Sequence, residues 1–165
     1  MDSLSHEKRS WLMSRIKSTD TIPEVIVRSF LHQNGFRFRL HVKNLPGKPD
    51  IVFPKYKTIV DIRGCFWHSH KNCDKSRIPS TNSNWWENKL RDNILRDAKH
   101  VDDWESEGWK ILVVWSCLFK HIKKNNKAEI LDYLMRSFNA IIHGQHQYLE
   151  ISWNDFCDRR NVFHG

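Results

Sequence analysis

Between Arg63 and Cys73 the chain packs two thiols, two imidazoles and two large aromatic rings into one short segment, Arg63-Gly64-Cys65-Phe66-Trp67-His68-Ser69-His70-Lys71-Asn72-Cys73. Cys65, His70 and Cys73, joined by the distant Cys117, supply three sulfurs and one nitrogen, a common ligand set for a tetrahedral structural zinc. Buried free cysteines beside an incidental histidine are the plainer alternative, but three close ligands with a fourth at a strand end favour zinc. Cys157 is left over and reads as a packed thiol. His68 is the spare imidazole. A loop fixed by metal can aim it at a phosphate as general base; a further ligand or a surface histidine fits the spacing equally well. Phe66 and Trp67 beside cationic residues suit a protein that stacks on, or wedges into, nucleic acid.

A second constellation precedes the loop. Asp50 follows Pro49 at the start of one apolar run, and Asp61-Ile62-Arg63 closes the next. Period two places Asp61 and Arg63 on one strand face, and a hairpin brings Asp50 across to Asp61. Two carboxylates and a backbone carbonyl then make an oxygen-rich pocket suited to magnesium. Arg63 is placed to stabilise a charged phosphoryl transition state. This is the layout of the PD-(D/E)xK nuclease core with arginine in place of lysine. By themselves these residues read more simply as a solvated strand face.

Elements must bring these groups together. The sequence has 165 residues, enough for one domain with a proper core. Lys+Arg outnumber Asp+Glu by 27 to 19, a formal charge of +8, which points to a polyanionic partner such as nucleic acid. A merely soluble basic protein has the same balance. No amino-terminal apolar stretch resembles a signal peptide, and no run is long enough to span a membrane, so a cytosolic chain with metal-binding rather than crosslinked cysteines is expected. Trp67, Trp85 and Trp86 fall in polar surroundings and suit a surface task, whereas Trp109 and Trp115 bracket an apolar run and read as core.

Residues His6 to Lys17, with Arg15 and Lys17 among them, form a basic arm that either follows phosphates or is an ordinary solvated terminus. Thr21 and Glu24 have capping-box spacing before a helix that Gly35 ends. Phe36, Phe38 and Leu40 alternate with arginines as in a strand. A turn at Leu45–Pro49 leads to a strand from Asp50, and Lys57–Arg63 forms a third. A long helix is expected over Asn82–Ser106 with Trp86, Leu90, Ile94, Val101 and Trp104 near one side. A strand over Trp109–Trp115 follows, then an amphipathic helix over Ala128–Ile142. The predicted division is a basic arm over 1–20, a nuclease domain over 21–143, and a tail over 144–165 without an assigned role.

Leu45-Pro46-Gly47-Lys48-Pro49-Asp50, Gly64-Cys65-Phe66-Trp67-His68, Asn93 with Arg96-Asp97, and Gly108-Trp109 through Val114-Trp115-Ser116-Cys117 together resemble the very-short-patch repair endonucleases. So does Met13-Ser14-Arg15-Ile16-Lys17-Ser18-Thr19-Asp20-Thr21 with Glu24. The likeness runs from Ser5 to Cys117, in order and at near-constant spacing. It implies a restriction-endonuclease-like three-layer α/β/α fold with a mixed central sheet and a structural zinc site. It also implies a monomeric, magnesium-dependent bacterial nickase that cuts one strand of double-stranded DNA beside a thymine–guanine mismatch, working near the nucleoid with or without repair-protein partners.

Carried over by position, the resemblance makes Asp50 the main magnesium ligand, helped by the carbonyl of Ile62, and His68 the base. Asp97 orients that imidazole, and Glu24 holds water of the magnesium. Cys65, His70, Cys73 and Cys117 hold zinc, and Phe66, Trp67 and Trp86 wedge into the base stack. Each has a plainer role on residue grounds: Glu24 in its capping box, Trp86 on a helix face, Asp97 paired with Arg96 or Lys99. The sequence departs from the family at three places. Asp61 stands where an apolar residue is usual and adds a possible magnesium ligand. Arg63 stands for histidine or aspartate and cannot serve as a base. One extra residue separates His70 from Cys73. These departures keep open a related restriction, homing or defence endonuclease with another target. A non-catalytic zinc-stabilised DNA-binding module is the third alternative.

Overall fold

The computed structural model describes Trp11, Arg15 and residues 19–120, 122–123 and 125–162. Helix α1 (Ile22–Gln33) leads into strands β1 (Arg39–Leu40), β2 (Ile51–Phe53) and β3 (Thr58–Arg63). Helix α2 (Ser83–Ser106), β4 (Lys110–Trp115), α3 (Lys127–Ile142), β5 (Tyr148–Ile151) and α4 (Trp153–Val162) follow. The strands make one sheet in the order β1-β2-β3-β4-β5. Pairing is antiparallel from β1 to β3 and parallel from β3 to β5, so the sheet is mixed as expected.

Period-two alternation divides the core into two layers. Ile51, Phe53, Val60, Ile62, Leu112, Val114 and Ile151 pack with Val27 and Leu31 of α1, with Ile130, Leu134, Phe138 and Ile141 of α3, and with Phe156 of α4. Val52, Ile59, Ile111, Val113 and Trp115 pack on the other face with Trp104 of α2. β4 is covered on both faces, which is why it reads as a near-continuous apolar run. The result is a three-layer α/β/α architecture.

Three expectations need adjustment. The strand expected over Phe36–Leu40 is only Arg39–Leu40. Phe36 and Phe38 instead turn their rings edge-on to Phe53, and Phe36 does the same to Phe138. In α2 the buried residues are Leu90, Asn93, Asp97 and Trp104, spaced as one helical stripe. Ile94 lies one position off that stripe and is 47% exposed. Finally, the segment after Gly144 is structured: β5 joins the sheet beside β4, and α4 closes the α1/α3 layer.

The turn before Asp50 is tied to α2. Trp104 Nε1 donates to the Pro46 carbonyl at 2.9 Å. Gly47 has φ +68°, and a Cβ there would meet the His100 ring at 2.5 Å, so glycine lets this turn lie against the helix. Asp50 thus enters β2 from a fixed turn.

Candidate active site and metal centre

Asp50 immediately precedes β2, and the register Ile51↔Val60 sets it opposite Asp61 of β3. Its Oδ2 accepts a hydrogen bond from the Ile62 N–H at 2.7 Å. Burial first, then the charges of Asp61 and Glu24, push the Asp50 carboxyl up to about 8, against the opposing pull of the Ile62 N–H and Arg63. An acid crowded in this way is relieved by a cation. The sheet register therefore sets Asp50 by Asp61, and both Asp61 and Glu24 act on its charge.

Glu24 lies in the first turn of α1, and it is buried. Its carboxylate accepts from the Asp20 N–H at 2.9 Å and the Thr21 hydroxyl at 2.7 Å. Neither bond of the expected capping box forms: Glu24 reaches back past the Thr21 N–H to that of Asp20, and Thr21 caps no backbone N–H. The bonds Glu24 accepts and its proximity to Asp50 coexist in one side chain.

Arg63 shares a face with Asp61 and donates from Nε to its Oδ2 at 2.8 Å. Arg63 is almost wholly buried. Burial works against its charge, yet Asp61, Tyr148 and Asp97 outweigh it and hold the guanidinium more firmly protonated than usual. The pair expected from period two is therefore a real ion pair in a site, not a solvated face.

His68 Nδ1 lies 2.6 Å from Asp97 Oδ2, which leaves Nε2 for other partners. Burial raises the Asp97 carboxyl, but the hydrogen bond and charge of His68, with Arg63 and Arg96, hold it below its ordinary value. The turn carrying His68 closes through His68 N–H to Gly64 and His70 N–H to Cys65, at 3.1 and 2.9 Å. Asn93, one helical turn before Asp97, donates from Nδ2 to the Trp67 carbonyl at 2.9 Å and docks the loop on α2. Arg63, His68 and Asp97 border one cleft of about 730 Å³, whose far side is built by Tyr148, Glu150 and the start of α4.

Cys65, His70, Cys73 and Cys117 place their ligand atoms within 4.8 Å of one another and can hold a metal ion. No other such group of three or more His, Cys, Asp or Glu occurs among the described residues. Three thiols and an imidazole at that spacing fit a tetrahedral centre. Asn72, just before Cys73, has a positive φ of 56°. Ser76 Oγ donates to the carbonyls of His70 and Cys73, at 2.6 and 2.7 Å. Contacts with Cys117, and less strongly with Ser116 and His70, pull the Cys65 thiol down to about 4 despite burial. The His70 ring stacks on Trp115 with centroids 4.0 Å apart and planes at 10°.

Phe66, Trp67 and Trp86 form one aromatic group: Phe66 lies 5.1 Å from Trp86 and 5.2 Å from Trp67, centroid to centroid. Trp85 extends the group, 4.7 Å from Trp86 and 58% exposed. Arg15 is exposed with its guanidinium 4.1 Å over the Trp11 ring; Lys17 lies outside the described residues. Sequence reasoning did not single out Tyr148 and Glu150, and quoted Asn93 only within a motif. Asn93 had the spacing signal of Leu90 and Asp97 on one helical stripe.

A mixed sheet flanked by helices, with paired acids at the β2/β3 hairpin and a histidine–aspartate pair beside them, defines a restriction-endonuclease-like nuclease. Comparison with known proteins sharpens this. The profile of the family described as DNA mismatch endonuclease Vsr matches residues 1–75. The type II nicking enzyme V.NmeAIP of Neisseria meningitidis is 47% identical over 140 residues, 85% of this chain and 96% of that protein. The type II nicking enzyme V.XorIIP of Xanthomonas oryzae is 45% identical over 116 residues, 70% of this chain and 85% of that protein. The DNA mismatch endonuclease Vsr of Escherichia coli is 35% identical over 121 residues, 72% of this chain and 77% of that protein. The chain belongs to the Vsr family and is an endonuclease. No helix among the described residues is long and apolar enough to cross a membrane.

Proposed function

We propose that this protein nicks one strand of double-stranded DNA beside a thymine–guanine mismatch, using magnesium for catalysis and zinc for structure. The observation that carries the reading is Arg63, which is hydrogen-bonded to Asp61 at the acid pair and borders the cleft that holds the His68–Asp97 pair, in a chain of the Vsr family. Asp50, with the Ile62 carbonyl and Asp61, would hold magnesium, which supplies positive charge to a phosphate and its leaving group. Cys65, His70, Cys73 and Cys117 would hold zinc, tying the loop to the end of β4. The names of the first two relatives, both nicking enzymes, support a single-strand cut.

His68 takes the proton of an attacking water at Nε2, because Nδ1 is engaged by Asp97. Asp97 fixes the ring through Nδ1 and sets a carboxylate beside the charge that forms as the proton arrives. Arg63, held by Asp61, sets a permanent cation beside the reacting phosphate. Glu24 adds acceptor oxygen and negative charge to the magnesium pocket. Phe66, Trp67 and Trp86 enter the base stack, at a cost of about a few kcal/mol per step that falls at an already weakened pair. The protein acts as a monomer in the bacterial cytoplasm, with Arg15 and Lys17 on phosphates.

Labelled duplexes with and without a thymine–guanine mismatch, incubated with magnesium, test this directly. Nicking confined to the mismatched duplex is expected; equal cutting of matched DNA would remove the mismatch requirement. That second outcome would favour a restriction-type nuclease with another target, a reading the Asp61–Arg63 pair supports. The aromatic group makes a separate expectation. Base–aromatic stacking is worth about 1–3 kcal/mol, so Trp86→Ala should lower kcat/KM on mismatched DNA by roughly 10- to 100-fold. Residual cutting of matched DNA should stay as it was. A uniform loss on both duplexes would make Trp86 a folding residue instead.

A further inference from the structure

We propose that Glu150, at the far edge of the sheet, is a positioning residue for the metal loop and the active-site floor. It acts by clamping Trp115 against the ligand His70 and holding Tyr148 beside Arg63. The proposal rests on reading the cysteine–histidine cluster as a metal centre.

The sheet places these groups side by side. Arg63 of β3 pairs with Trp115 of β4, and Glu150 of β5 pairs with Val113, one pleat before Trp115. All lie at the carboxyl ends of three parallel strands, and all border the cleft that holds His68 and Asp97. Both carboxylate oxygens of Glu150 are engaged. Oε2 accepts from Trp115 Nε1 at 2.7 Å, and Oε1 accepts from the Tyr148 hydroxyl.

Each bond has a consequence on the site. The Trp115 indole is 5% exposed and stacks flat on His70. Fixing the indole N–H sets the plane on which His70 rests, two residues from His68. Outer hydrogen bonds of this kind hold metal ligands in orientation, and their loss typically costs 10- to 100-fold in metal affinity or activity. Tyr148 and Arg63 line the same cleft. The Tyr148 hydroxyl, turned to Glu150, leaves the Arg63–Asp61 pair undisturbed. The Arg63 side chain makes no other hydrogen bond among the described residues than that to Asp61.

Glutamine at 150 keeps the shape but has one acceptor oxygen for two donors, so it can satisfy Trp115 or Tyr148 but not both. The test measures zinc content of the wild type first, then the rate at which zinc passes to a chromogenic chelator well below each variant's Tm. Nicking is measured in parallel. Glu150→Ala should release zinc about 10-fold faster and nick with a kcat lowered about 10-fold at an unchanged KM for DNA. Glu150→Gln should fall between this and the wild type, which keeps the proposal testable if the alanine variant folds poorly. Trp115→Phe removes the same hydrogen bond from the other side. The double variant Glu150→Ala/Trp115→Phe should thus release zinc no faster than Trp115→Phe alone. Wild-type release by Glu150→Ala, or strictly additive effects in the double variant, would overturn the clamp. A wild type that carries no zinc would sink the metal-centre reading itself, and failure to nick DNA leaves the release rates readable.

Discussion

Asp50→Asn is expected to make the magnesium-free protein more stable at neutral pH while nearly abolishing nicking. The folded chain pushes this carboxyl up to about 8, through burial and then through Asp61 and Glu24. An unfolded aspartate titrates near about 3.9. Between those values the folded state binds a proton that the unfolded chain has released, so stability falls as pH rises. The contribution is fully present below the unfolded value and is lost as pH climbs through about 8. Asparagine cannot ionise, and its carbonyl can still accept from the Ile62 N–H. A gain of about 1–2 kcal/mol at pH 7.5, or roughly 2–8 °C in Tm, should shrink to nothing near pH 4. Magnesium should raise the Tm of the wild type and leave the variant unmoved. Nicking should fall by about a thousandfold, because the ion's several kcal/mol of charge stabilisation lose their main ligand. Equal Tm values at both pH values, with magnesium shifting both proteins alike, would show that Asp50 carries neither the strain nor the metal.

That tension between acids is the part of the site the sequence showed best. A hairpin between the second and third strands is enough to bring Asp50 across to Asp61, and the antiparallel register that ends at Ile51↔Val60 makes that hairpin. The metal cluster was legible for a different reason: thiols and imidazole at close spacing have few other uses, and the ligand atoms do converge. Legibility ended where contacts depend on pairing between distant segments. Glu150 reaches Trp115 only because β5 joins β4 in parallel, and four residues of alternation are too few to announce a strand. Asn93 looked like one more polar residue, since an amide that serves a loop carbonyl leaves no pattern beyond the stripe it shares with Leu90 and Asp97. Ile94 was misplaced for the converse reason. Apolar character suggested the inward side, while the helix gives that side to Asn93 and Asp97 and leaves Ile94 on the cleft. Polar residues won the buried stripe because the loop they meet offers them partners.

The same stripe underlies the second large effect. His68→Ala should lower kcat by about 10²- to 10⁴-fold, the usual reach of a positioned base, with DNA affinity and zinc content unchanged. Asp97→Asn should be nearly as damaging, although it changes no shape. The carboxylate is held below its ordinary range and stays ionised, so it always accepts from His68 Nδ1 and supports the charge on the ring. An asparagine amide can turn its NH₂ to Nδ1, which forces the proton onto Nε2 and leaves no lone pair for water. If the two residues act as one unit, the double variant should be no slower than His68→Ala alone. Single-turnover nicking of a mismatched duplex measures all three. Additive losses would separate Asp97 from the imidazole and return it to a surface pair with Arg96, from which it lies 3.9 Å away. Wild-type rates in His68→Ala would move the base elsewhere in the cleft. Arg63 cannot take that place, because a guanidinium that Asp61, Tyr148 and Asp97 hold protonated has no lone pair to offer a water proton.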